Sequence, residues 1–285
     1  MTPPILIAAR RVLLDALDAL EAHLDALILV GAQALYLRTE DAGTDLVVAA
    51  YTSDGDLAVD LSGLADEPHL EQALAQANFT LRRADSGGLE PGVWVRTTTV
   101  DGLNFEVPVD LLVPSSQVTG SRRSAAPPPH ERIAARRIDG LDAALVDHTP
   151  MDLRALEAGD PRVHSIAVAG PAALLVSKAH KIEDRLAADA AGRPDRLKRG
   201  KDAADVFRLM RTQDPEDLGR RLAELSEHPT VGTSVSTALT YLDRRFRAPR
   251  AAGTALAAQT LTGAVPDNEV RDLCVAWTAA LLTAY

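Results

Sequence analysis

Two aspartates one residue apart, Asp54 and Asp56, stand in the run Tyr51-Thr52-Ser53-Asp54-Gly55-Asp56-Leu57-Ala58-Val59-Asp60. In an extended segment alternate side chains share a face, so the two carboxylates would point the same way. Adjacent anions repel unless something positive lies between them. Hard oxygen donors without thiols or imidazoles suit Mg²⁺ or Mn²⁺, which makes the pair a candidate metal-binding motif. Ser-Asp-Gly-Asp is also good turn chemistry in its own right. A third acid, Asp110, interrupts the apolar run Phe105-Glu106-Val107-Pro108-Val109-Asp110-Leu111-Leu112-Val113. Alternation sets Phe105, Val107, Val109, Leu111 and Val113 on one face and Asp110 on the other. A carboxylate in such a strand is expensive to bury unless it is paired or metal-bound. Three acids facing one way on neighbouring strands would form a two-metal site for phosphoryl or nucleotidyl transfer.

Such acids need strands to align them and a backbone turn to receive phosphate. Leu27–Val30 reads as a short buried strand that stops at Gly31, and Ala32–Thr39 reads as the helix that follows. N–H groups exposed at a helix start can hold phosphate. Before that turn, residues 5–24 carry helical periodicity. After it, residues 45–61 hold two strand-like stretches, of which Tyr51–Leu61 bears the acids. A helix over Leu70–Ala77 and strands over Phe79–Arg83, Val93–Val100 and Phe105–Val113 follow, with Gly87-Gly88 and Asp101-Gly102 as turns. Thr119–Pro129 reads as a loop, and two weak strands are expected between Arg136 and Leu153. From Gly170 the character changes to helices over Pro171–Ala191, Lys201–Thr212, Pro215–Glu227, Ser234–Phe246 and Val270–Leu282. The expectation is an α+β chain: a mixed-sheet domain over 1–165 and a helical bundle over 166–285.

The order of these features carries a resemblance. Gly31-Ala32, then Thr52-Ser53-Asp54-Gly55-Asp56, then Asp110, resembles the nucleotidyltransferase superfamily with a polymerase-β-like palm. Lys178-Ala179-His180-Lys181-Ile182-Glu183-Asp184-Arg185 and Lys201-Asp202-Ala203-Ala204-Asp205 are similar to the third and fourth motifs of the AbiEii/MenT-type toxin nucleotidyltransferases. The likeness spans roughly residues 25–212. It implies that Asp54, Asp56 and Asp110 bind Mg²⁺ or Mn²⁺, and that Asp110 helps deprotonate an acceptor hydroxyl. It further implies that Gly31, Ala32, Thr52, Ser53, Lys178, Lys181 and Arg185 hold a nucleoside triphosphate. Asp202 would position Lys178 or the acceptor. The reaction implied is transfer of a nucleoside monophosphate to a macromolecule, the 3′ end of tRNA, by the toxin of a toxin–antitoxin system. A cognate antitoxin protein is then a possible partner. The family's first motif has Gly-Ser or Gly-Gly where this chain has Gly31-Ala32. The missing hydroxyl removes one contact to the triphosphate and leaves the backbone donors.

The residues of the second half read consistently with this. Lys178, Lys181 and Arg185 lie at i, i+3 and i+7 of one helix and form a basic stripe suited to a triphosphate. Asp202 shares a stripe with Val206 and Leu209 that is expected to be buried, whereas Lys201 and Asp205, at i and i+4, could be merely a surface pair.

Composition bounds the reading. Lys+Arg 30 against Asp+Glu 40 give a net charge of -10, which opposes a protein that coats nucleic acid, so no DNA partner is expected. Positive charge is concentrated locally. Residues 120–137 carry Arg122, Arg123, Arg132, Arg136 and Arg137 against Glu131, and 193–201 carry Arg193, Arg196, Lys198, Arg199 and Lys201 against Asp195. Arg244, Arg245, Arg247 and Arg250 form a further run, and together these could make a groove for RNA. The acidic total keeps a cationic small acceptor such as an aminoglycoside open, as it does a degenerate nucleotide- or RNA-binding protein. Cys274 is the sole cysteine, in an apolar helix, and no export or membrane signal is read, so a cytoplasmic protein is expected. The seven histidines show no paired metal spacing.

Overall fold

Pro3 and Pro4 open the first helix, α1 (Pro4–Ala19), whose face of Leu6, Ala9, Leu13, Ala16 and Leu17 is buried. The computed structural model describes residues 2–40, 52–120, 122–192 and 196–285, with side chains outside 196–199. After a 3-10 turn at Glu21–Ala26, β1 (Leu27–Val30) is buried at every position and passes at Gly31 straight into α2 (Gly31–Arg38). The chain then forms β2 (Gly55–Val59), α3 (Leu70–Gln76), β3 (Thr80–Arg83), β4 (Leu89–Val100) and β5 (Leu103–Pro114). The two weak strands expected after Arg136 are β6 (Arg136–Ile138) and β7 (His148–Arg154), and β8 (Val163–Ala169) follows unanticipated. Of the two stretches expected over 45–61, residues 45–51 lie outside the described residues and the other shortens to β2.

Among the described residues eight strands form one mixed sheet in the order β3-β4-β5-β2-β1-β8-β7, with β6 beside β5. The pairs β2–β5, β1–β8 and β5–β6 are parallel and the rest are antiparallel. This sheet with α1 and α3 is the first compact unit, comprising the described parts of 1–37, 49–138 and 148–169. α1 covers one face so closely that a Cβ at Gly55 would come within 2.9 Å of Leu13 Cδ1. The start of α3 rests on histidines, because Leu70 N–H donates to His130 Nδ1 at 3.2 Å. The rings of His23 and His69 stand edge-on to His130, with centroids 5.6 and 5.7 Å away.

The second unit gathers Gly170–Tyr285, Asp139–Asp147 and residues 38–40. Its helices are α4 (Pro171–Ala190), α5 (Arg196–Thr212), α6 (Pro215–Ser226), α7 (Gly232–Phe246), α8 (Ala252–Thr260) and α9 (Asp267–Ala284). Proline stands at the start of α4, and its first turn is capped from outside, since Asp147 Oδ2 accepts from Ala173 N–H at 2.9 Å. Asp214 caps α6 by accepting from Glu216 and Asp217 N–H. The apolar faces close on a core that includes Leu175, Ile182, Val206, Phe207, Leu222, Val235, Leu242 and Leu281. Among the described residues no helix is long and apolar enough to cross a membrane.

Candidate active site

The sheet register brings two of the three acids together. β2 and β5 run parallel with Asp56 opposite Asp110, so the two side chains leave neighbouring strands on the same face. The opposite face, with Gly55, Leu57 and Leu111, is the one against α1. Asp56 and Asp110 are 7% and 8% exposed, a degree of burial that two adjacent carboxylates bear only with positive partners. Val30, the last residue of β1, pairs with Asp56, which places the Gly31 turn beside that carboxylate. Gly31 has φ 67°, and a Cβ there would lie 2.0 Å from Asp56 Oδ2. Glycine is thus required twice, for its backbone conformation and for the space the carboxylate occupies.

Asp54 departs from the expected geometry. It precedes β2 instead of lying in it, so strict alternation does not set its direction. Thr52 donates its hydroxyl to Asp54 Oδ1. The Asp54 carbonyl accepts from Gln33 Nε2 at 3.1 Å, and Gln33 Oε1 accepts in turn from Arg10 Nε at 2.7 Å. Arg10 and Gln33 are both buried, so this chain ties the acid loop to α1 and α2. Sequence reasoning missed both residues; the polar side chain of Gln33 among the apolar residues of α2 was the available signal. Ser53 is exposed and Ala32 is buried at the start of α2.

The positive partner of Asp110 was also missed. Leu112 pairs with Arg136 in the parallel β5–β6 register, which sets Arg136 on the acid face, and its Nη2 donates to Asp110 Oδ2. Among the described residues no group of three or more His, Cys, Asp or Glu side chains is placed to hold a metal ion. The donor chemistry nevertheless fits a hard divalent cation. Asp56 and Asp110 are paired carboxylates on one face, with Asp54 two residues before Asp56 and the Asp56 carboxylate set against the Gly31 backbone.

The other expected site residues lie in the second unit. Lys178, 3% exposed, donates from Nζ to Asp202 Oδ1 at 2.9 Å and to Asp205 Oδ2 at 2.6 Å, and Arg185 pairs with Asp202. Burial alone would push the ammonium down, but Asp202 and Asp205 outweigh it and hold Lys178 well above the ordinary lysine value. The Asp202 carboxyl lies below its ordinary value: burial works against this, and Lys178, Lys181 and Arg185 overcome it. The expected basic stripe is therefore not laid open to a phosphate. Lys178 and Arg185 are spent on aspartates, and Lys181 alone of the three is exposed. Asp205 is a correction as well, since it is buried beside Asp202 and not paired at the surface. One helical turn separates 202 from 205, so both face α4.

Of the basic segments, Arg122, Arg123 and Arg132 are exposed, Arg136 and Arg137 are half-buried, and Arg193, Arg196, Lys198 and Arg199 lie outside the described side chains. The run after Arg244 is largely neutralised: Arg244 and Arg245 both pair with Glu183, and Arg247 with Asp243. Cys274 is buried, and burial pushes its thiol up to about 12, which leaves it inert at neutral pH. No protein-family model, curated protein or solved structure matches the chain.

Proposed function

We propose that the chain is a Mg²⁺- or Mn²⁺-dependent nucleotidyltransferase that moves a nucleoside monophosphate from a nucleoside triphosphate to a macromolecular acceptor, the 3′ end of tRNA, as the toxin of a toxin–antitoxin system. The observation that carries this reading is the register pair Asp56–Asp110 beside the Gly31 turn, two buried carboxylates next to the start of a helix. Asp54, Asp56 and Asp110 would hold the metal, which when bound offsets the negative charge gathering on the reacting phosphate and the departing pyrophosphate. The backbone N–H groups from Gly31 and Ala32 onward meet the triphosphate at the positive end of α2. Asp110 takes up the proton of the acceptor hydroxyl as that oxygen attacks. Gln33 and Arg10 fix the loop that carries Asp54. The exposed Arg122, Arg123 and Arg132 supply positive charge for an RNA backbone on an acidic protein. Lys178, Asp202, Asp205 and Arg185 enter as the ion cluster between α4 and α5, and no phosphate contact is assigned to them.

Acceptor and activity are tested together. The protein is incubated with Mg²⁺ and each α-labelled nucleoside triphosphate in turn, with total tRNA, protein or an aminoglycoside as acceptor, beside Asp56→Asn. Label on tRNA with the wild type alone supports the reading, and growth arrest on expression that Asp56→Asn abolishes supports the toxin role. Label on the aminoglycoside alone would replace the acceptor with a cationic small molecule. Bound nucleotide without transfer to any acceptor would make the chain a binding protein.

A further inference from the structure

Arg136 is only partly used by the partner it has. Its Nη2 donates to Asp110 Oδ2 and its side chain is 14% exposed, while its Nε is buried without a hydrogen-bond partner. A guanidinium carries five donors in a planar fork, and a buried donor left unmet is costly. Glu90, a further acid in the field of Arg136, is already bridged by Arg82 at 2.6 Å. Asp56 stands opposite Asp110 in the parallel register, so a second carboxylate leaves the neighbouring strand on the face that Arg136 shares. A divalent cation at Asp56 and Asp110 would compete with the guanidinium for the same carboxylate, and the two positive charges would repel. A guanidinium so released matches the anionic oxygens of a phosphate, which it can grip with two parallel bonds.

We propose that Arg136 is an exchangeable phosphate ligand. It neutralises Asp110 while no cation is bound, and it turns its fork to a phosphate of the nucleoside triphosphate when a metal–nucleotide complex takes Asp110. The exchange keeps buried charge balanced in both states and rests on the nucleotidyltransferase reading, which it deepens by naming a side chain that recognises the substrate.

The test is Mn²⁺ binding to the full chain, read by the loss of the free-ion electron paramagnetic resonance signal. Mn²⁺ is titrated alone, and binding of each preformed complex of Mn²⁺ with a labelled non-hydrolysable nucleoside triphosphate is then followed by equilibrium dialysis, because the nucleotide by itself removes the free-ion signal. Arg136→Gln should bind Mn²⁺ alone about tenfold more tightly than the wild type, and Mn²⁺–nucleotide about tenfold more weakly. Arg136→Lys, which keeps the charge beside Asp110 and loses the fork, should leave Mn²⁺ alone within about twofold and weaken Mn²⁺–nucleotide by about tenfold. It carries the test if the glutamine variant fails to fold. Changes of the same sign in both titrations, or none in either, would show Arg136 to be a structural partner of Asp110 and overturn the exchange alone. A wild type that binds neither Mn²⁺ nor Mn²⁺–nucleotide would overturn the nucleotidyltransferase reading with it.

Discussion

Gly31→Ala probes the contact on which the acid site is built. The new Cβ would lie 2.0 Å from Asp56 Oδ2, 2.8 Å from its Cγ and 2.9 Å from its Cβ, on a backbone at φ 67°. The left-handed conformation costs a residue with a Cβ about 1–2 kcal/mol. Displacing the buried carboxylate adds overpacking of about 1–3 kcal/mol. The sum, about 2–5 kcal/mol, is a large share of a typical stability of about 5–15 kcal/mol. Asp56→Ala removes Oδ2 and Cγ but not the Cβ, so it relieves the clash in part and leaves the backbone cost. In that background Gly31→Ala should therefore cost about 1–2 kcal/mol less, well beyond the ~0.3–0.5 kcal/mol scatter of independent sites. Urea unfolding followed by fluorescence measures it. The chain has two tryptophans, and Trp277→Phe in all four proteins leaves Trp94, buried in β4 of the same unit, as the reporter. Strictly additive costs would refute the claim that Asp56 fills the space a side chain at 31 would need.

Two other perturbations address the second unit and the histidines. Lys178→Met leaves Asp202 and Asp205 buried, with Arg185 still paired to Asp202, and should cost about 3–5 kcal/mol in an unfolding transition reported by Trp277; a loss below about 1 kcal/mol, the range of a surface pair, would contradict the buried cluster. Burial, with the rings of His23 and His69, lowers the pKa of His130 below the ordinary value, against the pull of Glu71. The unfolded chain then binds the proton more readily, so stability is complete above about pH 6.5 and falls as the pH drops toward the lowered folded value. His130→Asn, whose Oδ1 can still accept from Leu70 N–H, should flatten that acid slope in pH-dependent unfolding, and an unchanged slope would assign it to other groups.

How much of this was legible in the sequence depended on how local each contact is. Asp110 stands out as an acid between apolar neighbours in an alternating strand, and the strand–Gly31–helix turn is readable from composition. That Asp110 stands opposite Asp56 is a parallel register across many residues, which alternation permits and does not determine. Arg136 was visible only as one of five arginines in a basic segment. Its strand has three residues, too short for a period, and its place on the acid face follows from pairing with Leu112. The acid run reads as one extended stretch, which would give Asp54 strand geometry, whereas β2 starts at Gly55. The i, i+4 spacing of Lys201 and Asp205 suggests a surface pair, yet positions 202, 205, 206 and 209 share one helical face and Asp205 is buried. β8 escaped notice because His164 and Ser165 break its apolar pattern, and α8 because its alanine-rich nine residues carry little amphipathic contrast.

These contacts give a physical division of labour. In the first unit, sheet register and one glycine set two carboxylates side by side, and Arg136 pairs with one of them. In the second, negative charge is gathered just as closely but is matched internally by Lys178 and Arg185. Under the proposed reading Asp56 and Asp110 with Asp54 are the acids that nucleotidyl transfer would use. The direct measurement follows both ends of one nucleoside triphosphate, labelled at the α- and γ-phosphates in parallel reactions with tRNA. The account predicts α-label joined to tRNA and γ-label released as pyrophosphate in equal amounts, with both lost in Asp56→Asn and Asp110→Asn proteins that remain folded. Transfer that persists in both folded variants, or γ-label joined to the acceptor, would contradict it.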